Sequence, residues 1–179
     1  AEASAKQQYE AAALFRDRIQ IIHNLTEKQK MIRNGKDDAD VFAYYREGSR
    51  LALQLFTLRG GKIVGKREFF WETLSFFHPP KFLRDALQQY YLNAGFIPSQ
   101  IYLPTRIEDQ RLLNRWLTEK LQSTGRKLRV RINVPQRGSK HDLLLLVEKN
   151  AKIAFHHRFR VLRSKKDKIL EKLKEKLDL

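Results

Sequence analysis

The chain has 179 residues, of which 42% are hydrophobic and 11% aromatic, so it can bury one good core and is too apolar to be a disordered tail. It contains no cysteine, which excludes disulfides and thiolate metal sites. Because the sequence shows no signal peptide and no apolar run of membrane-spanning length, we expect a cytoplasmic protein without a membrane partner. Its net charge of +16 is concentrated in residues 126–179, where 17 Lys and Arg face 6 Asp and Glu, and this excess favours a polyanionic partner, most simply nucleic acid, over a merely solvated basic surface.

The N-terminal residues 1–34 form the first predicted unit. The sequence predicts helix up to about residue 33, followed by a polar linker at Asn34–Asp38 that marks a domain boundary. Within this unit, Tyr9–Ile19 predicts a short helix that docks onto a partner, because paired alanines permit close backbone approach and the face residues recur at three- and four-residue spacing. That face comprises Tyr9, Ala12, Ala13, Arg16 and Ile19. An alanine-rich helix that packs on its own domain is the alternative.

From residue 38 the pattern predicts a second unit of mixed α/β structure. Tight turns at Glu47–Ser49 and Arg59–Lys62 divide its first part into three antiparallel strands. Helices then alternate with short strands, which implies parallel additions to the sheet through right-handed crossovers. The predicted elements are strands at Val41–Arg46, Leu51–Leu58 and Ile63–Trp71, a helix at Pro79–Asn93, a strand at Gln100–Leu103, a helix at Ile107–Gln122, a strand at Leu128–Val134 and a helix at Ser139–Leu179. This order resembles that of RNase H-like folds.

Two of the predicted helices carry further expectations. The helix at Ile107–Gln122 places one apolar face against the core, formed by Leu112, Leu113, Trp116, Leu117 and Leu121. The C-terminal helix has a candidate break at Arg163–Ser164. Its aromatic residues Phe155 and Phe159 have the spacing of core residues rather than of base-stacking platforms.

An RNase H-like nuclease requires carboxylates that converge on one or two divalent metals, from the middle of the first strand and the end of the fourth. The first strand instead reads Phe42–Tyr45 at its middle, and the fourth ends at Tyr102–Pro104, without an acid in either place. Asp40 and Glu47 flank the first strand at predicted solvated turns, and Asp109 falls in the first turn of a helix. We therefore expect no catalytic residue, metal or cofactor; a cryptic metal site that uses Asp40, Glu47 or Asp109 is the alternative.

Other catalytic arrangements are equally weak. The adjacent residues His156 and His157 point to different sides of a helix and make a poor metal pair. The glycine-containing stretch Arg59–Lys66 lacks the spacing of a phosphate-binding loop and leads into a strand, so it is a hairpin turn. No serine lies in a nucleophile-elbow context, and we expect no small-molecule substrate.

Two basic features remain. In the first, positively charged residues alternate along the predicted strand at Leu128–Val134 and continue to the N-terminus of the last helix. At that N-terminus a glycine permits a ligand to approach the backbone closely, Ser139 can cap the helix, and the free backbone amides can bind a phosphate. The predicted phosphate contacts are Lys127, Arg129, Arg131, Arg137, Gly138 and Lys140. A capped helix with solvated charges is the alternative. The second feature lies in the last helix, at Arg158, Arg160, Arg163, Lys165, Lys166 and Lys168.

Several segments together resemble the central region of the UvrC family. The N-terminal run resembles the UVR motif, the helical hairpin through which UvrB and UvrC pair, with Tyr9 in place of the usual Phe. The residues that match this motif are Tyr9, Glu10, Ala12, Ala13, Arg16, Asp17 and Ile19. The segments that match the family in the second unit are Asp38–Ala43, Arg59–Lys62, Phe96–Pro98, Ile101–Pro104 and Val134–Gly138.

The resemblance implies a function in DNA repair. It implies that residues 1–34 are part of a UVR hairpin that docks UvrB, and that residues 38–179 are a degenerate RNase H-like domain ending in a long basic connecting helix. The two nuclease domains of the family would lie outside this sequence. The implied function is a non-catalytic scaffold in nucleotide excision repair and the SOS response, which docks UvrB and binds DNA weakly and non-specifically. A generic nucleic-acid-binding module unrelated to repair is a further alternative.

Overall fold

A five-stranded sheet flanked by helices forms the centre of the computed structural model, which describes residues 38–177 and, in its last helix, side chains as far as residue 160. The elements in chain order are β1 (Ala39–Glu47), β2 (Arg50–Arg59), β3 (Lys62–Trp71), α1 (Pro79–Leu92), β4 (Gln100–Tyr102), α2 (Gln110–Gln122), β5 (Arg131–Asn133) and α3 (Ser139–Leu177). The strands lie in the order β3-β2-β1-β4-β5. The predicted UVR segment at residues 1–34 lies outside the described residues.

The first three strands form the predicted antiparallel meander. β1 pairs with β2 from Ala39↔Leu58 to Glu47↔Arg50, and β2 pairs with β3 across a register shift at Thr57/Leu58. Each of the two turns contains a glycine with a positive φ angle, 57° at Gly48 and 55° at Gly60. Other residues seldom adopt this backbone conformation, so the turns form where the sequence has glycine. The meander prediction is confirmed, with each strand slightly longer than expected.

The remaining two strands are short parallel additions. β4 pairs with β1 and β5 pairs with β4, each over three residues. The predicted strand at Leu128–Val134 is too long, because the segment before Arg131 does not join the ladder. Instead, the Val130 N–H donates to Thr118 Oγ1 of α2 at 3.0 Å. A side chain from the neighbouring helix therefore replaces the strand partner.

The sheet separates two cores. Alternate strand residues point to opposite faces, so one face packs against α1 and α2 and the other against α3. The first core includes Phe42, Leu51, Leu53, Leu55, Leu83, Leu87, Leu117 and Ile132. The second core includes Val41, Ala43, Phe56, Leu58, Tyr102, Leu143 and Val147. The predicted mixed α/β class is confirmed.

Two helix predictions need correction. α2 begins at Gln110 rather than Ile107, because Asp109 has a left-handed backbone (φ 49°) that interrupts the helical geometry. Leu112 is 63% exposed rather than buried, because the buried stripe of α2 follows four-residue spacing and Leu112 lies one position away from it. α3 runs without a break through Arg163–Ser164.

Candidate nucleic-acid interface

The predicted phosphate contacts, which we call the basic edge, lie in the segment before β5, on β5 itself and around the start of α3. The basic edge comprises Lys127, Arg129, Arg131, Arg137, Gly138 and Lys140, all exposed. Val130 and Ile132 are buried in the core beneath α1 and α2, so Arg131 lies on the opposite face of the sheet. The predicted alternation does not extend to Lys127, because its neighbour Leu128 is also exposed (44%).

The second half of the basic edge is the N-terminus of α3. Gly138 has a φ of 75°, and its carbonyl accepts the backbone N–H groups of His141 (2.9 Å) and Asp142 (3.0 Å). Gly138 is therefore the N-cap, and the prediction that Ser139 caps the helix is wrong, because Ser139 is already the first helical residue. The first amides of a helix have no intrahelical acceptor, and Arg137 and Lys140, one residue before and two after Gly138, are both exposed.

β4 brings the two halves of the basic edge onto one surface. Arg131 pairs in register with Gln100, and Asn133 pairs with Tyr102. The Asn133 amide donates to Gln100 Oε1 at 2.9 Å, and Lys140 Nζ lies 5.4 Å from the centroid of the Tyr102 ring. Tyr102 packs with α3, so its side chain marks the face of the sheet that α3 covers. Arg131, opposite the buried Ile132, and Lys140, beside the Tyr102 ring, therefore lie on this same face of β4 and β5.

Polar side chains of α2 hold β5 in place, a feature that the sequence analysis missed. Asn114 Oδ1 accepts the Ile132 N–H at 3.2 Å, and Gln110 Nε2 donates to the Ile132 carbonyl at 2.9 Å. With Thr118, these residues follow four-residue spacing along one side of α2. That spacing beside a leucine stripe was visible in the sequence and is the signal that could have revealed this contact.

A second network, of cation–π contacts, an ion pair and a hydrogen bond, holds the chain segment just before the basic edge in place. The Phe96 ring lies between the guanidinium groups of Arg59 and Arg126, whose Cζ atoms are 4.1 and 4.7 Å from the ring centroid. Arg126 also forms an ion pair with Asp38 at 3.7 Å. Asp38 Oδ1 accepts the Gly60 N–H at 3.0 Å. The start of β1, the β2–β3 turn and the residue preceding Lys127 are therefore connected.

The middle of β1 carries aromatic side chains and no acid, at the place where the fold analogy with RNase H-like nucleases expects a metal ligand. In register, Tyr102 at the end of β4 lies beside Val41 of β1, one residue before Phe42. Further along β1 is a group that we call the aromatic cluster, formed by Tyr44, Trp71, Phe77 and Phe82. Tyr44 packs 5.2 Å from Phe77, and Trp71 packs 5.0 Å from Phe82, between ring centroids.

Asp40 corrects one prediction, because it is fully buried and not on a solvated turn. As the second residue of a central strand, it points beneath α1. Its carboxylate accepts hydrogen bonds from Tyr91 Oη at 2.7 Å and Arg59 Nη1 at 2.9 Å. Burial raises the pKa of Asp40 above its ordinary value, and these two hydrogen bonds oppose the shift. Burial also raises the pKa of the Tyr91 hydroxyl, with the Asp40 charge adding to the effect.

The three acids considered for a cryptic metal site lie apart. Glu47 lies seven residues beyond Asp40 on β1, which is about 23 Å along a strand, and it accepts a 2.5 Å hydrogen bond from Tyr45. Asp109 pairs with Arg84 at 3.0 Å. Across residues 38–160, no three His, Asp or Glu side chains come together in a group that could hold a metal ion.

The histidine pair and the second basic cluster lie along α3. His156 is half-buried with its ring centroid 5.5 Å from that of Tyr45, whereas His157 is exposed. Phe159 is buried, as predicted, and Arg158 lies 5.7 Å from the centroid of Phe70. Phe155 is buried in the same way, and the side chains predicted at Arg163–Lys168 lie outside the described residues.

Three antiparallel strands, followed by two parallel strands and helices on both faces, define an RNase H-like domain. The family described as UvrC Ribonuclease H-like domain matches residues 38–158. The chain belongs to the UvrC family. In the part that the structure describes, no helix is both long and apolar enough to cross a membrane.

Proteins named UvrABC system protein C align with almost the whole chain. The protein from Solibacter usitatus is 44% identical and that from Koribacter versatilis 38%, each over 99% of this chain. A Clostridium botulinum protein of the same name is 37% identical over 99% of the chain. The chain spans 28%, 29% and 28% of these three relatives, respectively.

Proposed function

We propose that this chain is a non-catalytic scaffold of a UvrC-type subunit in nucleotide excision repair, and that it positions DNA on the basic edge. The arrangement of Arg131 and Lys140 on one face of β4 and β5 carries the proposal. Cations on one face, beside a helix N-terminus, suit contacts to phosphates rather than to base edges. DNA binding is therefore weak and independent of sequence.

The absence of catalysis is supported by what fills the nuclease position. The fold analogy expects a metal-binding acid at the middle of β1, where this chain has Phe42, Ala43 and Tyr44, and Mg²⁺ and Mn²⁺ require oxygen ligands such as carboxylates. Asp40, the acid near the start of β1, is already bonded to Tyr91 and Arg59. Incision would then belong to other domains of the subunit.

Docking of UvrB is assigned to residues 1–34 from the sequence. The UVR-like run ends at Ile19, and the family match begins at Asp38. In this proposal the docking segment precedes the RNase H-like domain, and the predicted linker at Asn34–Asp38 lies between them. The relatives are named as components of the UvrABC system, which supports UvrB as the partner.

The DNA proposal is tested by fluorescence anisotropy with a labelled duplex across a salt series. Affinity falls as salt rises, because each neutralised phosphate releases condensed counterion. Arg131→Ala and Arg137→Ala each weaken binding to all sequences alike and reduce the salt slope by about one contact. Lys62→Ala, on strand β3 at the opposite edge of the sheet, is the matched control. A flat salt response, or equal losses for Lys62→Ala and Arg131→Ala, would remove the basic edge as the binding surface.

A further inference from the structure

Two buried amide oxygens between strand β2 and helix α3 have no hydrogen-bond donor among the described residues. They are Oε1 of Gln54, a β2 residue that is fully buried, and Oδ1 of Asn150, an α3 residue that is 2% exposed. Buried polar atoms almost always have a partner, because removing one from water without a hydrogen bond costs free energy. Two such atoms on facing elements therefore require a ligand that donates to both.

The orientation of each amide is set by its nitrogen. Gln54 Nε2 donates to the carbonyl of Arg67 on β3 at 2.8 Å. Asn150 Nδ2 donates to the carbonyl of Leu146, one turn earlier in α3, also at 2.8 Å. Rotating either amide by half a turn would place its oxygen against that carbonyl, and two acceptors cannot bond to each other. Both unpaired oxygens therefore stay in place as acceptors.

The packing of α3 on the sheet places the two amides at the same level. Phe56 of β2 lies in one core with Val147. Two alternate residues further along the same strand face, Ala52 packs with Phe155. The distance from Phe56 to Ala52 is about 13 Å along a strand, and that from Val147 to Phe155 is about 12 Å along a helix. Each amide lies at or next to the middle of its interval, so the two face each other.

Small side chains leave room around the two amides. Ala43 lies directly opposite Gln54 in the register of β1 and β2, and Ala151 follows Asn150 in α3. Both alanines are fully buried, so bulk solvent does not reach the space beside them. An internal water needs only about 10–15 Å³ of accessible volume. The ligand must therefore be small and enclosed.

A water molecule fits these requirements. It has two O–H donors, one for each amide oxygen, and its own oxygen can accept the second N–H of either amide. This gives the water three hydrogen bonds, the usual number for an internal water. A metal cation fits less well, because it would bring a full charge into a buried position where these amides offer two neutral ligands.

We propose that Gln54 and Asn150 bind one internal water molecule between β2 and α3, and that this water sets the register of α3 on the sheet. The surrounding contacts in this interface come from apolar side chains, whose attraction has no preferred direction. Hydrogen bonds are directional, so a fully bonded polar group among them favours one arrangement. The proposal goes beyond the function argued above and does not depend on DNA or UvrB.

Nuclear magnetic resonance of the isotope-labelled full chain tests for the water directly. The side-chain amide protons of Gln54 and Asn150 show cross-peaks to water in laboratory-frame and rotating-frame NOE spectra, with the relative sign of dipolar contact rather than of proton exchange. Asn150→Leu removes the Gln54 cross-peak, because the water loses one of its two acceptors. Gln88→Leu, which changes an exposed glutamine of α1, leaves that cross-peak in place.

A double-mutant cycle in urea tests the coupling of the two amides. Gln54→Leu and Asn150→Leu each lower the midpoint of unfolding, because each leaves the other oxygen with a poorly bonded water. The double variant loses less than the sum of the two single losses, whereas Gln54→Leu and Gln88→Leu are additive.

Two results would overturn the proposal. Additive losses for Gln54→Leu and Asn150→Leu would show that the two amides share no ligand. Coupling between them without a water cross-peak in the wild type would show a direct contact between the amides instead. The wild-type spectrum requires no substitution, so it decides the matter even where a variant fails to fold.

Discussion

Asn114 accepts a hydrogen bond from the backbone N–H of Ile132, with 3.2 Å between Oδ1 and N. This contact fixes the outer edge of the sheet, because β5 is the last strand on that side among residues 38–177. An exposed strand edge invites pairing with other chains unless it is covered. α2 covers this edge with side chains rather than with a strand. The same contact leaves Arg131 directed away from α2, so the packing of α2 orients part of the basic edge.

The first prediction concerns this contact. Asn114→Leu leaves the Ile132 N–H without an acceptor in a buried position and lowers the free energy of unfolding by about 1–3 kcal/mol. Asn114→Asp, which keeps an acceptor oxygen of similar size, is the matched control and loses less. Urea unfolding of both variants measures the difference. Equal stability of Asn114→Leu and the wild type would mean that β5 is held by its apolar residues alone.

The second prediction concerns the pH dependence of stability. Burial raises the pKa of Asp40 above its ordinary value of 3.8, so the folded state holds this proton more tightly than the unfolded state does. The resulting stabilisation is complete below the unfolded pKa and is lost as pH rises through the folded pKa. The stability of the wild type relative to Asp40→Asn therefore declines as pH increases from about 3 toward neutrality. Urea unfolding of both proteins at a series of pH values measures this difference, and a difference that grows with pH would contradict the assignment.

Asp40 also shows which parts of the fold could be predicted from the sequence. The meander could be predicted because its signals are local, namely the glycine turns at Gly48 and Gly60 between runs of strand-forming residues. The burial of Asp40 could not, because it depends on Tyr91, which lies 51 residues away in the chain. A carboxylate next to a predicted turn has the sequence context of a solvated group, and only the packing of α1 over the sheet removes it from water.

The positively charged residues of the basic edge could be predicted from the sequence, but the length of strand β5 could not. Its cations are visible in the sequence as an excess of positive charge after residue 125. The strand was predicted too long because the alternation of side chains continues beyond the backbone hydrogen bonds that define β5. The ladder ends where Thr118 takes the Val130 N–H, a contact between residues of different elements that periodicity does not reveal.

The third prediction is that the chain does not cut DNA. The middle of β1 has no acid, and the carboxylate of Asp40 is engaged by Tyr91 and Arg59. We expect no nicking of damaged duplex with Mg²⁺ or Mn²⁺ in a supercoiled-plasmid assay and in a labelled-oligonucleotide assay. Asp40→Asn serves to distinguish a contaminating nuclease from the chain itself. Metal-dependent cleavage that survives purification controls and disappears in Asp40→Asn would show that a metal site exists.

The fourth prediction concerns UvrB and the segment Tyr9–Ile19. Small side chains at Ala12 and Ala13 permit close approach of a partner helix, so Ala12→Trp overpacks that contact and weakens UvrB binding by about 1–3 kcal/mol. Ala11→Trp makes the same change off the predicted face and is the matched control. Titration calorimetry with purified UvrB measures both variants beside the wild-type chain. If UvrB binds the wild type and Ala12→Trp with equal, measurable affinity, the segment Tyr9–Ile19 is not the docking surface, and the partner must contact the RNase H-like domain instead.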